Sequence, residues 1–267
     1  MCRFLVYWGD KAVSVSDWIL QADNCLLNQS IRDISNRPNA DGWGFAYRIA
    51  DKFTLEKSPE AAFRDNNYKD KANQITTDLL FAHVRRKSQG EINLQNSHPF
   101  IHENWVFMHN GNIPNFEFYK EKLRLKFMQT FDIDTLGTTD SEFLFRYFTH
   151  WFDKTENCDI QCALNLISSI ILELIKITKD NTDGELALNF MLTNGEFLIG
   201  FRRNRSLYYT QMDDGVLITS EELDKNLSWT EVPENHFIIA SNPSQVEMCA
   251  YDLYADNRVL QQFQFNT

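Results

Sequence analysis

Residues 186–202 read LALNFMLTNGEFLIGFR. This is a pair of short apolar strands around Asn194-Gly195, a dipeptide suited to a tight hairpin. The same texture recurs upstream. Cys2–Trp8 is short, apolar and aromatic; TDLLFAHVRR at 77–86 is another strand; WVFMH at 105–109 is a third, ending abruptly in Asn110-Gly111, again a turn signal. The turn formers at 36–42 (NRPNADG) feed a strand beginning GWGFAY, and short strands are expected around Leu207, Val216 and Phe237. Helical patterns lie between: one opened by Ser16-Asp17 and running through Leu26, one from Asn115 to Gln129, one opened by Thr139 and reaching about Phe152, and one from Asp159 to Lys179. The order is mixed early, helical in the middle and stranded late. That is an α+β chain whose sheets must be covered by helices. With no repeat and no Pro/Gly/Ser-rich linker, residues 1–267 form one expected domain, and the polar stretch 52–73 is its best candidate for a mobile excursion.

Composition narrows the function classes. The 267 residues carry 26 basic and 37 acidic side chains, a net charge of −11, with no basic run to offset it, so a nucleic-acid partner is not expected. No run of 18 apolar residues is present, because polar residues interrupt Cys162–Ile177, so no membrane partner is expected either. The five cysteines are odd in number and scattered, which suits free thiols in a reducing, cytoplasmic compartment. Cys158 and Cys162 are best explained by packing, and His83, His98 and His109 lack a metal-ligand spacing, so neither metal nor cofactor is expected.

Six sites could carry chemistry. Cys2 combines a thiol with an α-amine once the initiator Met is trimmed, and an α-amine, with a reference pKa of about 7.7–8.0, suits a general base at neutral pH; the plain alternative is a small buried hydrophobe. Asp41-Gly42-Trp43-Gly44 places two glycines at a loop-to-strand junction, either for close approach to something or for a tight turn. In a strand, His83 and Arg85 share one face, which is either exposed or able to offer a bidentate grip on a carboxylate. His98, held extended by Pro99, lines a pocket or caps a turn. Asn110 and the Gly111 N–H could converge as an oxyanion hole, or form a simple turn. Thr139 and Glu142 fit a capping box, which puts Asp140 in a helix's first turn, where the dipole alone explains it or where it meets a ligand ammonium.

Singly, each of these has an ordinary structural explanation. Together, in this order, Met1-Cys2, Asp41-Gly42-Trp43-Gly44, Ala82-His83-Val84-Arg85, Asn96-Ser97-His98-Pro99-Phe100, His109-Asn110-Gly111 and Thr139-Asp140-Ser141-Glu142 resemble the class II, N-terminal-nucleophile glutamine amidotransferases. The form is similar to the stand-alone, YafJ-like branch and to the γ-glutamyl hydrolases of thiol metabolism. The resemblance covers about the first 150 residues closely. It implies a four-layer αββα sandwich with Cys2 as nucleophile and its own α-amine as base. Arg85 would hold the substrate α-carboxylate, Asp140 the α-ammonium, and Asn110 with Gly111 the oxyanion, while Gly44 and His98 would line the pocket. The substrate would be glutamine or a γ-glutamyl amide, cleaved through a thioester; an ammonia-accepting protein or a second copy are the possible partners. The run Arg86-Lys87-Ser88-Gln89-Gly90 departs from many relatives and bears on substrate choice. The competing expectation is a catalytically silent binding or regulatory subunit.

Overall fold

Thirteen strands and five α-helices are found among the residues that the computed structural model describes, 2–127, 135–155 and 157–251. The strands are β1 (Arg3–Ser14), β2 (Trp43–Ile49), β3 (Lys52–Ser58), β4 (Thr76–Val84), β5 (Phe100–His102), β6 (Trp105–Asn112), β7 (Ala187–Thr193), β8 (Leu198–Arg202), β9 (Tyr208–Met212), β10 (Gly215–Thr219), β11 (Thr230–Glu231), β12 (His236–Asn242) and β13 (Gln245–Ala250). The helices are α1 (Leu26–Ile31), α2 (Asn66–Gln74), α3 (Phe116–Phe127), α4 (Asp140–Asp153) and α5 (Ile160–Thr178). One sheet has the order β11-β9-β10-β1-β4-β2-β3 and the other β13-β12-β8-β7-β6-β5, with antiparallel pairing throughout.

Strand alternation sorts side chains into three apolar layers. β1 sends Phe4, Val6 and Trp8 between the sheets and Leu5 and Tyr7 outward to α1 and α2. β4 likewise splits Leu79 and Phe81 from Leu80, Ala82 and Val84, and β6 splits Val106 and Met108 from Phe107, which packs under α4 and α5. Central strands are therefore apolar on both faces and show as continuous runs rather than alternating ones. The result is the expected four-layer αββα sandwich: helices, seven-stranded sheet, six-stranded sheet, helices.

Several local expectations are corrected. The stretch 52–73 is no excursion: Lys52–Ser58 pairs along its length with β2, and α2 buries Tyr68 and Ala72 four residues apart, an amphipathic spacing hidden by polar neighbours. Asn110-Gly111 is not a turn, since β6 runs through it to Asn112. The helix opened at Ser16 is a single π turn, Asp17–Gln21, separate from α1. The helix begun near Asn115 is α3; its expected end at Gln129 lies outside the described residues. By length and composition alone α5 could cross a membrane, despite its polar interruptions. Its Leu164, Ile167, Ile170, Ile171 and Leu174 instead cover the six-stranded sheet, which is why it is so apolar.

Candidate active site

Cys2 stands immediately before β1, on the parity of Phe4 and Val6, so its side chain leaves on the face between the sheets. Its backbone is anchored by the next residue. The buried Arg3 guanidinium donates to the Cys2 carbonyl (2.7 Å) and pairs with Asp33 (3.1 Å) and Glu221. Removing one partner from such a buried pair is costly, so the chain end is tightly held. Cys2 Sγ lies 3.4 Å from both the N and O of Arg86.

Arg85 follows β4, whose register pairs Arg3 with Val84 and Phe4 with His83, and this sets Arg85 opposite Cys2. Its backbone is clamped on both sides: its N–H donates to Gly42 O (2.8 Å) and its carbonyl accepts from Asp41 N (2.9 Å). Gly42 is needed there, because its φ is +128° and a Cβ would lie 2.4 Å from Ser97 Oγ. Arg85 Nη1 and Nη2 donate to the carbonyls of Glu91 and Gln89, both at 2.9 Å, which leaves further guanidinium N–H groups free. Burial lowers the Arg85 pKa, while Cys2, Asp41 and Asp140 favour the cation.

The facing sheet supplies Asn110 and Gly111. Asn110 shares the parity of Val106 and Met108, so its side chain points between the sheets; its Oδ1 is buried with no hydrogen-bond partner among the described residues. Gly111 pairs with Leu188, and the Leu188 N–H donates away from β6, to Arg203 O (3.1 Å). The Gly111–Leu188 pair is thus a non-hydrogen-bonded one, and the Gly111 N–H points to the other edge of β6. Among the described residues no strand pairs with that edge at Gly111, because β5 ends at Phe100 opposite Phe107. The donor pair expected of a turn is delivered by the end of a strand.

Asp140 is the first residue of α4. Thr139 caps the helix by accepting from Glu142 N (3.2 Å), but the Glu142 carboxylate accepts from Leu136 N (2.9 Å) and Gly137 N (2.7 Å) rather than closing a capping box. Losing the cap in Thr139→Ala is expected to cost about 1 kcal/mol of stability, read as a lower urea midpoint. Asp140 Oδ2 accepts from Ile113 N (2.8 Å) and, at 3.4 Å, from Gln89 Nε2. Its other oxygen is kept available by a proton relay next door. His109 Nε2 lies 3.1 Å from Ala187 O, which can only accept, and burial keeps the ring neutral. Nδ1 is therefore the acceptor for the Ser141 hydroxyl at 2.9 Å. Ser141 Oγ also donates toward Asp140 Oδ1, 3.2 Å away, its one proton shared between the two acceptors, so that oxygen keeps a lone pair for a ligand ammonium at a helix N-terminus.

Two expected pocket residues sit behind this group. His98 is buried and stacked on His83, ring centroids 4.2 Å apart, and no side-chain partner is hydrogen-bonded to either ring among the described residues. Gly44 packs on the same segment: a Cβ there would lie 2.3 Å from the His98 carbonyl. Its close backbone approach is to the chain itself. Three contributors escaped the residue-by-residue reading. Lys57 donates to Ser97 O (2.6 Å), and burial brings its pKa down to about 8. Asn96 ties the 91–98 loop to Thr138 (N to Oδ1, 2.8 Å), and Gln89 reaches toward Asp140. Only Asn96 and Gln89 gave a signal, by lying within quoted motifs.

The histidine pair makes stability depend on pH. Burial lowers His83 to about 3 and His98 in the same direction. Unfolded histidine takes a proton near pH 6.5, while the folded rings refuse it. Their contribution is therefore intact above that pH and is lost as pH falls toward 3, by about 1 kcal/mol per pH unit for His83. Urea midpoints at pH 7.5 and 5.0 should show His83→Gln with a shallower loss than the parent; parallel slopes would refute this.

Two stacked antiparallel sheets between helical layers form the sandwich of the N-terminal-nucleophile hydrolase type. The family model for class-II glutamine amidotransferases matches residues 20–213, and the chain belongs to that family, whose members are enzymes. It is 34% identical over 165 residues to the probable glutamine amidotransferase DUG3 of Saccharomyces cerevisiae, covering 58% of this chain and 46% of that protein. It is 25% identical to the γ-glutamyl-hercynylcysteine sulfoxide hydrolase of Mycobacterium tuberculosis, covering 89% of this chain and 92% of that one. Among solved structures, the glutamine aminotransferase class-II domain protein of Silicibacter pomeroyi superposes with a TM-score of 0.69 at 20% identity, over 93% of this chain and 98% of that chain.

Proposed function

We propose that the chain is a cysteine-dependent amidohydrolase acting on the side-chain amide of glutamine or of a γ-glutamyl compound. The observation that carries this reading is geometric: the β1–β4 register sets Arg85 opposite Cys2, and Gln89 joins Arg85 to Asp140 through its carbonyl and its side-chain amide. A substrate α-carboxylate on the free N–H groups of Arg85 and an α-ammonium on Asp140 Oδ1 fix one end of an amino acid. Its amide carbon then meets Cys2 Sγ. The α-amine of Cys2, freed by removal of Met1 (which lies outside the described residues), takes the thiol proton through a water. The tetrahedral oxyanion is held by the Asn110 amide and the Gly111 N–H. Collapse expels ammonia or an amine, which leaves with the proton held by the α-amine. Water then cleaves the γ-glutamyl thioester to glutamate and regenerates the thiol. The ammonia is released to solvent or to an accepting protein.

The test is a panel of glutamine, glutathione and γ-glutamyl amides, assayed for glutamate release by protein whose intact mass shows Met1 removed. Acid-quenched samples should carry a γ-glutamyl adduct on the N-terminal peptide. No glutamate from any compound, or a fully retained Met1, would favour a silent regulatory subunit instead.

A further inference from the structure

Gln89 lies in the loop that follows β4, and it touches both ends of the proposed amino-acid grip. Its carbonyl accepts from Arg85 Nη2 (2.9 Å). Its side-chain Nε2 donates to Asn112 Oδ1 (2.8 Å) and Ile113 O (2.9 Å), with Asp140 Oδ2 at 3.4 Å. An amide nitrogen has two protons, so the two short contacts take them and the Asp140 contact is shared. Ile113 closes the ring, because its N–H donates to the same Oδ2 (2.8 Å) while its carbonyl accepts from Gln89. One carboxylate oxygen of Asp140 is thus fixed from two sides, and the other is presented to the ligand.

Resting on the function proposed above, we propose that Gln89 is a positioning residue that sets the preference for substrates bearing an α-ammonium. It does so by locking Asp140 to the end of β6. It takes no part in the chemistry at Cys2: it binds backbone and side-chain oxygens of the 112–113 segment, and its carbonyl meets Arg85 rather than the thiol. An amide one methylene shorter could not span Asn112, Ile113 and Asp140 together. An apolar side chain of equal length would leave two oxygens without their donor and Asp140 free to turn.

The experiment compares glutamine with glutaramic acid, the same amide and carboxylate without the α-amine, in wild type and Gln89→Met. For glutamine, KM is expected to rise about tenfold or more with kcat within about threefold, as loss of a binding contact predicts. For glutaramic acid, kcat/KM is expected to stay within about twofold of wild type, since that substrate never uses Asp140. If Gln89→Met does not fold, as judged by circular dichroism, Gln89→Asn is measured identically and should lose preference in the same direction. Equal losses on both substrates would show a merely structural residue, and unchanged glutamine kinetics an idle one; either overturns the proposal. Where wild type prefers another γ-glutamyl amide of the panel, that compound and its analogue without the α-amine replace this pair; wild type inert toward every amide of the panel would overturn the amidase reading itself, and this inference with it.

Discussion

Cys2→Ala is expected to abolish glutamate release, by about ten-thousandfold or more in kcat, while leaving the protein folded. The size follows from removing the atom that, on the proposed mechanism, forms the covalent intermediate: the remaining donors would bind and polarise the amide but cannot be acylated. The fold should survive, because the Cys2 side chain is only half buried and its thiol meets just the Arg86 backbone, at 3.4 Å. The β1 ladder begins at Arg3, whose side chain anchors the Cys2 carbonyl through its backbone in either protein. The same quenched-mass experiment should lose its adduct. Residual turnover near the parental rate in Cys2→Ala would end the nucleophile assignment, and with it the use of an N-terminal base.

Arg85→Lys should lower kcat/KM for glutamine by a hundredfold to a thousandfold, equivalent to about 3–4 kcal/mol. A lysine keeps the positive charge but loses the planar fork that meets both oxygens of a carboxylate. It also cannot donate at once to the Glu91 and Gln89 carbonyls, which Arg85 does at 2.9 Å each. Substrate binding and loop position then fail together, so a control is required. 4-Aminobutanamide, which has the amide and amine but no carboxylate, reports the loop component alone. If Arg85 grips the carboxylate, the variant's penalty on this compound is smaller than on glutamine. A penalty equal for both would make Arg85 a structural clamp only.

Much of this site is legible along the chain because backbone alternation reaches past the strands that create it. Residues 83 and 85 share a face wherever 80, 82 and 84 share the other, and that face is the one between the sheets. Asp140 at the head of α4 follows from Thr139, whose hydroxyl side chain caps the helix without help from elsewhere. Asn110-Gly111 shows the limit. Its local preference is a turn, but pairing with Asn189 and Leu188 overrides it, and the long strand aims the glycine N–H at an edge that β5 does not reach. Gly44 shows another limit: its small size answers to the His98 carbonyl, a neighbour 54 positions away that no local pattern announces.

By itself, then, the residue order determined the layered class of fold, the apolar strands, the capped helix and the set of groups able to hold an amino acid and attack its amide. Those depend on steric preference and hydrophobic spacing, which act over a few residues. Tertiary structure alone decided that Cys2 and Asn110 face the same interior from opposite sheets, that burial disfavours protonation of His109 beside Ser141 and Asp140, and that Gln89 links Arg85 to Asp140. Each of these depends on partners far apart in the chain and on burial, which strips water from polar groups and leaves only the neighbours that packing provides.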